Sequence, residues 1–270
     1  MSYLSIRHHD LHYATQGDST KPPLLLLHGF LGSHQDFRPL VSVLSRYFYC
    51  IAVDLPGHGK TRSQPNSYTF PATANSLLSL LNHLNIWQTY LLGYSMGGRL
   101  ALYLTCEFPD RFLKVVLESA SPGLKTAEER KRRRESDAAI AHRLETTPLP
   151  LFLAQWYSNP LFTSLKNHPN AYETMLLRRE NNNPTELCNA LRGLGTGEQP
   201  SLWEKLTYLQ PPLLLIAGEL DPKFIKINHE MRARLNISRT TKLEIIVSCG
   251  HNIHLEAPMV YARTLLKYFL

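Results

Sequence analysis

Short apolar runs recur along this chain with helix-patterned stretches between them, and this alternation restricts the fold more than any other feature. The runs are Leu24 to Leu27, Tyr49 to Val53, Thr89 to Leu92, Lys114 to Leu117, Leu213 to Ala217 and Leu243 to Val247. Any one of them is ambiguous between buried strand and buried helix. Together they form the pattern expected when parallel strands are joined by crossover helices. Leu4 to Ile6 and Leu11 to Ala14 add a candidate leading hairpin. Between the strands, Leu77, Leu80, Leu81 and Leu84 repeat at i, i+3, i+4, i+7, which gives a helix one apolar stripe to lay on the sheet. Met96 to Cys106 and Ala257 to Leu270 also read as helices. The fold class is therefore α/β, with a mostly parallel central sheet flanked by helices.

The alternation lapses after Ser121 and restarts at Leu213. A gap of about eighty residues is too long for a structureless loop in one domain. The sequence predicts a helical cap over 122–206, inserted into a core made of 1–121 and 207–270. With 270 residues, 43% of them hydrophobic, a single core can form.

No apolar stretch approaches the ~18 residues of a membrane span, and the N-terminus lacks the pattern of a secretory signal, so a cytoplasmic location is expected. Cys50, Cys106, Cys188 and Cys249 are widely spaced without a C-x-x-C pair. They read as reduced core residues, with no disulfide framework, metal or cofactor expected. The net charge of +7 points to an anionic partner. Much of the basic charge lies in 122–205, at Arg130, Lys131, Arg132, Arg133, Arg134, Arg143, Arg178 and Arg179, mixed with tryptophans and prolines. Nucleic-acid-binding motifs are not evident, so a small anionic molecule is the expected partner; the sequence leaves the oligomeric state open.

The run Gly93-Tyr-Ser-Met-Gly97 sits between a strand-like Thr89-Tyr-Leu-Leu and a helix-like Met96-Gly-Gly-Arg-Leu-Ala-Leu. A G-x-S-x-G pattern alone is weak, but strand, sharp turn and helix form the setting of a nucleophile elbow. Ser95 would then stand at a helix N-terminus, where N–H groups favour developing negative charge. A serine hydroxyl needs a histidine to take its proton, and the histidine needs a carboxylate to hold its tautomer. Asp221 in Gly218-Glu-Leu-Asp221 and His251 in Ser248-Cys-Gly-His251 each follow a strand, in the chain order Ser, Asp, His. That is the α/β-hydrolase order. Asp221 could instead cap a helix, and His251 could be an ordinary loop residue. Glu118 and His254 are weaker rivals for the two roles, and His58 in Pro56-Gly-His-Gly59 reads as a loop-shaping residue. Oxyanion donors are expected from the N–H of Met96, after the serine, and of Phe30, in His28-Gly-Phe-Leu-Gly32 after the first apolar run.

Several segments together resemble the MenH family, the 2-succinyl-6-hydroxy-2,4-cyclohexadiene-1-carboxylate synthases of menaquinone and phylloquinone biosynthesis. They are Gly93 to Leu102, Leu117 to Leu124, Gly193 to Trp203, Gly218 to Phe224 and Gly250 to Glu256, and the resemblance spans nearly the whole chain. It implies an α/β-hydrolase fold carrying a carbon–oxygen lyase that eliminates pyruvate, with triad-activated Ser95 as the base. It further implies Arg99, Arg133 and Arg179 as ligands for the carboxylates of a polyanionic substrate, and Tyr94 and Trp156 as pocket residues. Arg99 is also favoured by spacing, since four residues after Ser95 it shares one helix face with it. Arg132 and Arg134 adjoin Arg133, and Arg178 adjoins Arg179, so a shift of one residue would reassign either role. Two other readings use the same residues: a serine hydrolase of small anionic esters or carbon–carbon bonds, and a noncatalytic ligand-binding protein on this fold.

Overall fold

A strand buried on both faces needs apolar side chains at successive positions, and the central strands have them. The computed structural model describes residues 2–65, 67–235 and 241–270. The chain opens with a hairpin, β1 (Ser2–Ile6) and β2 (His9–Gln16), followed by β3 (Pro23–Leu27), α1 (Arg38–Leu44), β4 (Tyr49–Val53) and the short β5 (Arg62–Ser63). Next come α2 (Phe70–His83), β6 (Thr89–Tyr94), α3 (Met96–Glu107) and β7 (Phe112–Glu118). The chain then leaves the sheet for α4 (Ala127–Thr146), α5 (Leu149–Trp156), α6 (Pro169–Arg179) and α7 (Pro184–Leu194). It returns as β8 (Leu213–Gly218), α8 (Pro222–Arg234), β9 (Lys242–Ile246), α9 (Ile253–Glu256) and α10 (Pro258–Phe269).

The strands form one sheet in the order β1-β2-β4-β3-β6-β7-β8-β9, with β5 on β2. Every pairing from β4 through β3 to β9 is parallel, while β2 runs antiparallel to β1, β4 and β5. Side chains alternate between faces along each strand. Leu25, Leu27, Leu91, Val115, Leu117 and Leu215 pack beneath α2 and α3, where Leu77, Leu80, Leu81, Leu100 and Leu104 complete one core. Leu24, Leu26, Leu92, Val116, Leu214 and Ile216 face the other way, against Leu40 and Leu44 of α1 and Tyr261 and Leu265 of α10. The expected leading hairpin and apolar runs thus become strands. Where the sequence extends the last run to Val247, the strand stops at Ile246, paired with Gly218; Val247 is 70% exposed and Ser248 turns the chain at φ 59°.

Helix starts follow local chemistry. Thr69 caps α2 and Asn183 caps α7 through side-chain oxygens, each with Pro in the first turn. Thr126 and Glu129 form a reciprocal capping box at α4. The helices from α4 to α7 enclose their own apolar cluster, with Leu144, Phe152, Met175, Leu187 and Leu191 at its centre. The two ends of this excursion meet: Leu202 N–H donates to the Pro122 carbonyl at 2.8 Å, and the Trp203 indole to that of Gly123 at 2.8 Å.

A buried ion pair ties the excursion to the sheet. Arg179, the last residue of α6, donates from Nη1 and Nη2 to the two oxygens of Asp36 at 2.8 and 2.7 Å, and both side chains are at most 3% exposed. Burial opposes the charge on Asp36, but the Arg179 guanidinium outweighs it and holds the carboxyl below its usual range. Arg178 donates to the Gln35 carbonyl and Asn182 to that of Leu31, so the end of α6 grips the loop after β3 at several points.

Removing one member of a buried pair strands the other's charge. Arg179→Met is therefore expected to lower unfolding free energy by about 3–5 kcal/mol in urea titrations, with much of the loss recovered in Asp36→Leu/Arg179→Met. Gly97 gives a second test. A Cβ there would enter the Leu27 and His28 carbonyl oxygens, so Gly97→Ala should cost about 1–3 kcal/mol or more by the same measurement.

Candidate active site

The parallel register sets the site. Leu27, Gly93, Leu117 and Leu215 lie side by side across four strands, and Gly218 pairs with Ile246 further along, so the chain leaves every central strand on the same edge of the sheet. Ligand sites in such sheets form outside the carboxyl ends of the strands. Ser95 stands at the tip of β6 with φ 49° and ψ −108°, a conformation rare for a residue with a side chain, and it opens α3. Its N–H donates to the Glu118 carbonyl at 2.9 Å and its own carbonyl receives the Arg99 N–H at 2.9 Å, which locks the turn. His251 Nε2 lies 3.2 Å from Ser95 Oγ, and His251 Nδ1 lies 2.7 Å from Asp221 Oδ2. The other Asp221 oxygen accepts the Phe224 N–H, so the same carboxylate caps α8 and orients the histidine. The helix-cap position of Asp221 and its pairing with His251 are thus compatible.

Glu118 and His254 pair with one another, Oε1 to Nδ1 at 2.8 Å, fully buried beneath the Tyr94 ring, which lies 4.4 Å from that of His254. They stand under the site and leave His251 to Asp221. Tyr94 also packs on His251, with ring centroids 5.4 Å apart. Phe224 at 4.8 Å and Phe162 at 5.9 Å complete an apolar surround for the imidazole.

Phe30 sits in the loop after β3, and Met96 begins α3, so the Met96 N–H is among the donors that a helix start leaves without an intrahelical partner. The loop is fixed from below. His28 Nε2 accepts the Leu55 N–H at 2.9 Å, which places its proton on Nδ1, donated to the Gly29 carbonyl at 2.7 Å. His58 donates Nδ1 to the Pro56 carbonyl and lays its ring 5.5 Å from that of Phe30; burial pushes its pKa down to about 3, so it is a neutral wedge in the loop. Deeper still, Asp54 accepts from His12 Nδ1, His34 Nδ1, His34 N–H and Lys60 N–H. His12, His34 and Asp54 are the types of residue that bind metals. The Asp54 carboxylate, however, already receives four donors, about as many as its lone pairs can serve.

These residues open onto a cavity of about 890 Å³ roofed by α4 to α7. Phe30, Tyr94, Ser95, Met96, Asp221 and His251 all line it, as do Arg99, Arg133, Arg179 and Trp156. Trp156 stands edge-on to Phe30, ring centroids 5.4 Å apart. Arg99 Nη1 donates to the Leu194 carbonyl at 2.9 Å. Burial, then the charge of Arg133, push the Arg99 pKa down to about 9, the mark of a cation held where an anion would be welcome. Arg133 lines the cavity and donates Nε to Asp137 at 2.7 Å, whereas Arg132 pairs with Glu128 and Arg134 with Glu198. Arg179, the third arginine expected to serve an anion, lines the cavity and also has internal partners. Asp36 occupies both of its amino groups and its Nε donates to the Tyr157 hydroxyl, because burying the guanidinium so deeply requires an internal counter-charge.

Ser119 and Lys223 are among the lining residues that the sequence reading did not single out. Ser119 follows β7 at φ 49° with a buried hydroxyl, and Lys223 lies in the first turn of α8 beside Asp221. Each adjoins a residue weighed for the triad, and the end of a parallel strand is the signal that would have found both.

Residues 22–258 match the family described as alpha/beta hydrolase fold. A Bacillus subtilis relative is 36% identical over 94% of this chain and 93% of its own length. The 2-succinyl-6-hydroxy-2,4-cyclohexadiene-1-carboxylate synthase of Serratia proteamaculans is 32% identical over 94% of this chain and 96% of its own. Among solved structures, that of MenH from S. aureus superposes with a TM-score of 0.88 at 30% identity, covering 97% of each chain. Among the described residues no helix is long and apolar enough to cross a membrane. The chain belongs to the alpha/beta hydrolase fold family and, within it, to the 2-succinyl-6-hydroxy-2,4-cyclohexadiene-1-carboxylate synthases.

Proposed function

We infer that this chain is a carbon–oxygen lyase of menaquinone or phylloquinone biosynthesis. It takes pyruvate from 2-succinyl-5-enolpyruvyl-6-hydroxy-3-cyclohexene-1-carboxylate and leaves 2-succinyl-6-hydroxy-2,4-cyclohexadiene-1-carboxylate. The observation that carries this reading is an intact Ser95–His251–Asp221 array beside Arg99, a cavity guanidinium that lacks a carboxylate partner among the described residues. The named relatives supply the reaction. We take 122–206 as the cap that closes a core of 1–121 and 207–270 over the substrate.

In this reaction Ser95 Oγ removes the ring proton at C2, beside the succinyl ketone, while its own proton passes to His251 Nε2. Asp221 holds Nδ1 protonated and steadies the imidazolium. Negative charge grows on the ketone oxygen, where the N–H groups of Phe30 and Met96 receive it. The enolate then forms C2=C3, the C3=C4 pair moves to C4=C5, and the C5–O bond breaks. The departing enolate of pyruvate takes up the proton held on His251. No bond forms between serine and substrate. Arg99 and Arg133 hold substrate carboxylates, whose paired oxygens suit a guanidinium fork, and Tyr94 and Trp156 wall the ring. Arg179 supports these positions from behind through Asp36 and Tyr157.

Incubation with the enolpyruvyl substrate should release pyruvate, and Ser95→Ala should lower kcat by about a thousandfold or more. A folded protein that releases none while rapidly cleaving simple esters would make the chain a hydrolase instead. Arg99→Ala is expected to cost about 2–4 kcal/mol in kcat/KM. Arg99→Lys should recover only part of it, for want of the fork.

A further inference from the structure

The cations lining the cavity differ in whether they already have an acid. Lys125 pairs with Glu230, Arg133 with Asp137 and Arg179 with Asp36. Among the described residues, Arg99 and Lys223 have no carboxylate oxygen within salt-bridge distance. The substrate inferred above carries three carboxylates, and Arg179, the third arginine expected to serve them, already bonds Asp36 and Tyr157.

We propose that the Lys223 ammonium is a ligand for a substrate carboxylate, acting together with Arg99 to hold the ring over Ser95. The placement follows from α8. Asp221 caps that helix and Pro222 fixes its first turn, so Lys223 leaves the backbone two residues from the triad acid at the cavity wall. Its Nζ lies 5.3 Å from the centroid of the Phe224 ring, and that ring packs 4.8 Å from His251. A cation over an aromatic face is held in place without being neutralised. Burial, followed by the charge of Arg133, pushes the Lys223 pKa down, against the pull of Asp221. Arg133 acts on Arg99 in the same way, so Arg99 and Lys223 both feel its positive charge. Lys223 thus adds a positive charge that no carboxylate among the described residues claims.

This proposal rests on the reaction assigned above, and the test separates the two. Pyruvate release would be measured for Lys223→Met and Lys223→Arg, with calorimetric titration of propane-1,2,3-tricarboxylate as a second arm. K223M should raise KM about tenfold with kcat within about threefold, and K223R should bring KM back to within about threefold of the parent. The tricarboxylate Kd should weaken about tenfold in K223M. A KM for K223M within about twofold of the parent, or a loss falling on kcat alone, overturns the proposal. So does failure of K223R to recover KM, since a charge-based role predicts rescue. If the parent protein releases no pyruvate, the reaction assignment fails, and the tricarboxylate titration alone then decides whether Lys223 binds anions. An unchanged Kd would end the proposal there.

Discussion

The close crossing of α3 beneath the loop after β3 is the contact on which the rest of the site depends. Three glycines make it possible. A Cβ on Gly97 would enter the Leu27 and His28 carbonyls, one on Gly93 would strike the Gly97 backbone, and one on Gly98 would meet Ala120. With those positions bare, the first turn of α3 lies against the loop that carries Phe30, and the Met96 N–H is brought to the same side as Ser95. Ser95 takes up the strain of the turn. A left-handed residue with a side chain costs on the order of 1–3 kcal/mol, which the flanking hydrogen bonds to Glu118 and Arg99 and the packed core must offset. Those are backbone contacts between elements in the centre of the sheet.

Much of this was legible in the sequence because it is local. Parallel strands buried on both faces appear as apolar runs, and β3, β4 and β8 sit where those runs lie. The elbow and the order Ser, Asp, His survive in spacing alone. The pairing of Asp36 with Arg179 does not, because the partners are 143 residues apart and each looks like an ordinary surface charge in its own segment. Glu118 and His254 were visible only as competitors for the triad; that they satisfy one another is a fact of the sheet register, which places Glu118 at the end of β7. β5 is two residues long and carries no periodicity to read. α4 is polar almost all round, so its charges gave its helical character but not its orientation; the Arg133 to Asp137 bridge and the cap at Thr126 provide that.

A common arrangement links these contacts. Buried acids are matched to buried bases in the interior: Asp36 to Arg179, Asp54 to His12 and His34, Glu118 to His254, Asp221 to His251. Each pair meets the requirement that a charge removed from water be compensated. The pairs also hold particular loops, and so the polar interior acts as scaffold. The acids that act on Arg99 and Lys223, Asp137 and Asp221, are likewise committed, to Arg133 and His251. The net charge of +7 then gains a local meaning, since part of it is concentrated where a small anion can be enclosed.

That distribution bears on why one scaffold can serve both acyl transfer and elimination. The triad delivers an activated oxygen and the paired N–H groups deliver a place for negative charge; neither distinguishes a carbonyl carbon from a carbon acid beside it. The distinction must come from which atom is set against Ser95 Oγ. A neutral ester is oriented by shape alone, whereas a tricarboxylate can be fixed at several points by charge-assisted bonds before any chemistry begins. On our reading, two cavity cations, Arg99 on the helix that Ser95 opens and Lys223 on α8, turn the ring so that its C–H bond meets the base and its ketone oxygen meets the donors. The wall charges, rather than the triad, then decide that the serine takes a proton.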